Sequence, residues 1–114
     1  TGNEILKLTR EQAIAEGLKP SIYSHPIGYH GHAAGTSIGM WDNQEHVDTG
    51  EHPMQNNTCY AIELNTREQI PEWGNKEIRV MLEENAVFKD GKVHYIDGRQ
   101  KELMLIPRQS SNIQ

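Results

Sequence analysis

The chain has 114 residues, a formal net charge of −5, 35% apolar residues and one cysteine. That length suits one modest domain with little material for a core, and the single cysteine excludes an internal disulfide. Lysines and arginines are scattered, which excludes binding through a basic patch to nucleic acid, and no apolar run approaches the roughly 20 residues of a membrane-spanning helix.

Residues 3–16, NEILKLTREQAIAE, read as a helix. Asn3 is the expected N-cap, and Gly17 with Pro20 closes the other end. Ile5, Leu6, Thr9 and Ala13 form one apolar stripe opposite a charged face. SIYSH (21–25) is β-branched or aromatic and is expected as a short strand carrying His25 at its end. His25, His30 and His32 then fall within eight residues, threaded by Gly28, Gly31, Gly35 and Gly39. Glycine at this density makes poor helix and poor strand, so the imidazoles sit on a loop. Residues 40–57 are polar and turn-rich, a long connection of the kind that carries function or moves.

The second half is β. In TCYAIELNT (58–66), Tyr60, Ile62 and Leu64 alternate with Cys59, Ala61 and Glu63. In KEIRVMLEENAVF (76–88), Ile78, Val80 and Leu82 alternate with Arg79, Met81 and Glu83. KDGK (89–92) signals a tight hairpin leading into VHYID. Gly98 precedes a last apolar run, ELMLI (102–106), and residues 108–114 read as a flexible tail. Cys59, on a strand among apolar neighbours, reads as a small buried hydrophobe. With no repeat or linker, residues 1–107 are expected to form one α+β unit.

Glu63 and Glu83 lie inside strands, where carboxylates are depleted and costly to bury unpaired. In one reading both face solvent and Arg79 pairs with one of them. In the other they join the upstream imidazoles around a divalent metal, which accepts nitrogen and oxygen ligands. The pair His30-Gly31-His32 also suggests a cupin-type H-x-H site, but residues 33–37 supply no carboxylate to complete it.

Three motifs in order resemble a known family. GHAAG (31–35) is similar to the G-H-x-x-G ligand loop of the pita-bread metallopeptidases, YAIELN (60–65) to their T-I-E-P strand, and RVMLEENAVF (79–88) to their R-I-E-D-x-V-L-V strand. The family includes methionine aminopeptidase, X-Pro aminopeptidase, prolidase and creatinase. The resemblance runs from the opening helix to about Ile106 and implies the C-terminal half of their catalytic domain, one helix followed by a curved antiparallel sheet. It implies a hydrolase in which two divalent metals (Mn, Co, Zn or Fe) activate water against a peptide or small amide. Family ligands run Asp, Asp, His, Glu, Glu. Carried over, the metal ligands are His32, Glu63 and Glu83, with His30 and Glu84 as second choices. Glu63 and His25 are the catalytic residues, Glu63 taking the proton from water and His25 binding substrate or shuttling protons.

The departures are specific. HPIGYHGHAAG is longer than the family's H-x-x-G-H-x-x-G. The family's second histidine, some seven residues after the ligand, falls on Gly39 when counted from His32; His46 and His52 are the nearest substitutes and read better as surface residues. No aspartate precedes Asp42, so the chain carries three of five ligands. It is expected to be soluble, inactive by itself, and to associate with another copy or with an N-terminal half. The alternative is a non-catalytic binding module that retains the fold.

Overall fold

A computed structural model describes residues 1–107; the expected tail, 108–114, lies outside the described residues. Helix α1 spans Gly2–Ala15 and is capped by Thr1 in place of the expected Asn3. The Thr1 hydroxyl accepts from the Glu4 amide, and the Glu4 side chain reaches back to the cap, forming a capping box. Asn3 does a different job. Its side chain brackets Val47, donating to the carbonyl at 3.0 Å and accepting from the amide at 3.1 Å. The 40–57 connection is thereby strapped to the helix.

The expected strand SIYSH is split into β1 (Pro20–Ile22) and β2 (His25–Pro26). Both pair antiparallel with β3 (Thr58–Ile70) in one register, Ile22 opposite Leu64 and His25 opposite Ala61. The break falls at Ser24, whose backbone bridges outward to Ile38. Its hydroxyl takes over the ladder, accepting from the Glu63 amide at 3.1 Å and donating to the Glu63 carbonyl at 3.3 Å.

β3 runs past the expected Thr66 to Ile70, where a short 3-10 turn leads to β4 (Lys76–Lys89). The segment Arg67–Ile70 has no strand pattern of its own; pairing with Lys76–Arg79 holds it extended. β5 (Lys92–Tyr95) returns along β4 through Asp90 and Gly91, whose φ values of 53° and 71° are those of the two-residue turn that KDGK predicts. The sheet is antiparallel and unclosed, in the order β1-β3-β4-β5 with β2 also on β3. The radius of gyration of the chain, 17.5 Å, exceeds the roughly 13 Å of a compact chain of this length.

Directly opposite residues of an antiparallel pair share a face, so the register defines two surfaces. Tyr60, Ile62 and Leu64 share one with Ala86, Glu84 and Leu82. Toward α1 it holds the core of Leu6, Ile22, Ile38 and Tyr60. A cavity of about 360 Å³ beside Ile5, Ile62 and Phe88 remains on that side. Burial raises the Tyr60 phenol above its ordinary pKa, and its hydroxyl donates to the Thr36 carbonyl at 3.1 Å. Cys59 is half-buried, less enclosed than expected. Leu103–Ile106, from the last apolar run, are exposed and form no strand. No helix among the described residues is long and apolar enough to cross a membrane.

Candidate metal and catalytic site

The second face of the sheet carries Ala61, Glu63, Asn65 and Arg67 opposite Asn85, Glu83, Met81 and Arg79. Glu63 and Glu83 are therefore side by side on adjacent strands. Two carboxylates in that relation repel, and a cation beside them would relieve the repulsion. Glu84, opposite Ile62, belongs to the other face and accepts from the Gln100 amide at 2.5 Å. It does not share a surface with Glu63 and Glu83.

His25 is brought to Glu63 by β2. Its Nε2 lies 2.7 Å from Glu63 Oε1, and its Nδ1 lies 2.9 Å from the Pro26 carbonyl. A carbonyl only accepts, so Nδ1 carries a hydrogen. Nε2 is left facing the carboxylate oxygen at hydrogen-bond distance. The imidazole is enclosed, with 7% of its side chain exposed against 32% for Glu63. Glu63 thus links a buried ring to an open surface.

The glycine loop folds back over this pair. His32 stacks on His25 with ring centroids 4.0 Å apart and planes 12° from parallel. Gly28 permits the return, since a Cβ there would lie 2.8 Å from the His32 carbonyl. Tyr23 lies tilted against His25 with ring centroids 5.3 Å apart. His30 points away, exposed and edge-on to Tyr29 at 4.9 Å. The order across the site is His32, His25, Glu63, Glu83.

Beside Glu63 and Glu83 opens a cleft of about 580 Å³, walled also by Tyr23, Trp41, Arg67 and Arg79. Among the described residues no ion pair joins Arg79 to either glutamate, and the arginine pair of this hairpin is Arg67–Glu77 at 3.9 Å. His46 bonds Glu51 at 3.0 Å and lies near Asn3, and His52 is exposed, so both belong to the surface.

The donor chemistry fits a divalent cation in part. Anchoring Nδ1 on a carbonyl orients a ring for ligation through Nε2, and a cation held by both Nε2 and Oε1 would have to replace the direct 2.7 Å contact between them. The expected trio is not gathered, however: among the described residues no three His, Cys, Asp or Glu side chains could hold a metal ion together.

Several residues that shape the site carry no motif. Ser24 fixes the Glu63 backbone. Gln44 accepts from the Ile22 amide at 2.8 Å and donates to the Ile22 carbonyl at 2.7 Å, fastening the long connection to β1. Arg10 from α1 donates to the same Gln44 oxygen at 3.0 Å. Ser24 and Gln44 are single polar residues outside the regular elements and Arg10 is one of several charges on the helix, positions where sequence pattern is silent. Compared with models of known protein families, with curated proteins and with solved structures, the chain has no match.

Proposed function

We propose that this chain is the C-terminal portion of the catalytic domain of a metal-dependent hydrolase of the pita-bread type, acting on peptides or small amides. The observation that carries the reading is the His25–Glu63 contact at 2.7 Å, on the same sheet face as Glu83. The two carboxylates are in register, and no arginine neutralises them among the described residues, as a merely solvated face would favour. A bound metal pair would supply a polarised water positioned for attack on a carbonyl carbon.

On this reading the ligand histidine is His25 rather than His32. His25, buried and against Glu63, takes the ligand role, and His32 becomes the second histidine. The two are seven residues apart, the family's own interval, so the departure counted from His32 to Gly39 disappears. Pro26 orients the His25 ring, Ser24 holds Glu63 at its backbone, and Glu63 accepts the proton released from water. His32, stacked on His25 at the rim, meets substrate. Two further aspartate ligands would come from outside this chain.

The second reading is a module that kept the fold and lost the site, and the absence of a three-donor group among the described residues favours it. Calorimetric titration of the chain with Mn²⁺, beside Glu63→Gln and Glu83→Gln, separates the two. The hydrolase reading predicts saturable binding of about one metal per chain that either change weakens at least roughly tenfold. Folded chain that takes up no metal, or variants that bind as well as the parent, would leave the module reading.

A further inference from the structure

The cleft beside the candidate site has two unlike ends. On the sheet's second face Glu63 lies opposite Glu83 and, four residues along each strand, Arg67 lies opposite Arg79. Asn65 and Met81 form the neutral rung between them. Like charges directly opposite one another in an antiparallel pair are destabilising, and this face holds one such rung of each sign. Exchanging residues 63 and 67 would set arginine against Glu83 and glutamate against Arg79, making both rungs attractive, so local stability does not account for the pattern. Arg67 approaches Glu77 at 3.9 Å, but those side chains are 53% and 50% exposed, and a pair of that kind contributes little. No other ion pair among the described residues engages either arginine.

Both charge pairs line the same cleft, with Tyr23 and Trp41 on its wall. Trp41 is 75% exposed, yet its turn is fixed. Met40 and Asn43 exchange backbone hydrogen bonds of 2.9 and 3.1 Å, and Gln44 donates to the Met40 carbonyl at 2.6 Å. A firmly held, open aromatic gives a ligand apolar surface to lie on. We infer that the cleft binds a short peptide with a free C-terminus, its carboxylate held by Arg67 and Arg79 and its ammonium directed at Glu63 and Glu83. The strand rise sets the two charge pairs about 13 Å apart along the sheet. An extended peptide of about four residues spans that distance, and a dipeptide spans about half of it. Guanidinium groups meet a carboxylate through paired N–H···O bonds, and Asn65, midway, carries a donor and an acceptor for the peptide backbone. The peptide's role as substrate rests on the hydrolase reading; its seat between the charge pairs needs no metal.

Titration of the metal-free chain with tetra-alanine, its C-terminal amide and di-alanine, followed by the arginine Nε resonances in NMR, tests the inference. Tetra-alanine is expected to shift the Arg67 and Arg79 signals saturably, with the amide and di-alanine about tenfold weaker. Arg67→Gln and Arg79→Gln should each remove the preference for the free carboxylate. Both positions are exposed, so the amide spectrum should show the fold unchanged. The preference should survive in Glu63→Gln, whose effect on Mn²⁺ uptake tests the hydrolase reading separately. A chain that prefers the free carboxylate but takes up no Mn²⁺ would sink that reading and leave the peptide site standing. Tetra-alanine that does not bind, an amide or di-alanine that binds as tightly, or arginine variants that keep the preference would overturn the site, whatever the metal does.

Discussion

Tyr60 ties the glycine loop to the core through one hydroxyl. Its phenol is buried in the apolar cluster while its oxygen donates to Thr36, just past the histidine loop. Replacing it with phenylalanine leaves a buried carbonyl with one partner fewer and should cost about 0.5–1.5 kcal/mol in urea unfolding; unchanged stability would contradict the role given to this bond. Burial raises the phenol's folded-state pKa above 10.0, so the fold favours the protonated form. That contribution is complete below pH 10.0 and is lost as pH rises through the raised value. Tyr60→Phe should lack this alkaline loss.

Residue-scale chemistry was partly legible in the sequence. Glu63 and Glu83 stood out because strands disfavour carboxylates, and the alternation that paired Glu83 with Arg79 and Met81 matches their shared face. The choice among imidazoles was not legible. GHAAG fits a ligand loop at His32, but the partner of a histidine depends on which ring returns to the sheet. That is fixed by the pairing of His25 with Ala61, residues far apart in the chain.

Among the elements, the loop from Gly28 to Gly39 shows why glycine is required. Gly39 has φ 74°, and a Cβ there would meet the Ile22 carbonyl at 2.2 Å and Leu6 at 3.0 Å. Gly39→Ala should therefore destabilise by about 2 kcal/mol or more, combining backbone strain with a clash at the core. Gly17→Ala is the control: its φ is 84°, but nothing lies within 4 Å of the added carbon. It should cost the backbone part only. Equal losses at the two positions, measured by chemical denaturation, would contradict the account of Gly39.

Elements marked by local chemistry were readable: the helix from its apolar stripe and charged face, the β4–β5 turn from Asp-Gly, and the facing strands from alternation. Those set by distant contacts were not. Ser24 breaks the first strand because Ile38 competes for its backbone, and Arg67–Ile70 is a strand only because β4 lies beside it. ELMLI has strand composition, yet it finds no partner among the described residues.

The whole molecule is an open sheet with one helix on it, 61 × 36 × 23 Å. Its fully buried apolar residues cluster where α1, the Ile38 loop and β3 meet, while the distant half of the hairpin leaves Val80, Met81 and Leu82 exposed. The sheet's second face holds the candidate site at the thick end, where β2 and the glycine loop stack imidazoles against Glu63. An architecture of this kind supplies a rigid wall for one side of a site and leaves the opposite side open. That suits ligands contributed from outside the chain.

The central claim is that His25 and Glu63 share the cation position. Imidazole nitrogen NMR of the ¹⁵N-labelled chain during titration with Zn²⁺ tests it directly. The prediction is that the His25 Nε2 resonance moves first and furthest, while Nδ1 stays protonated against the Pro26 carbonyl. A His25 signal that stays in place while His30 or His32 shifts, or a folded chain with no imidazole response, would contradict it.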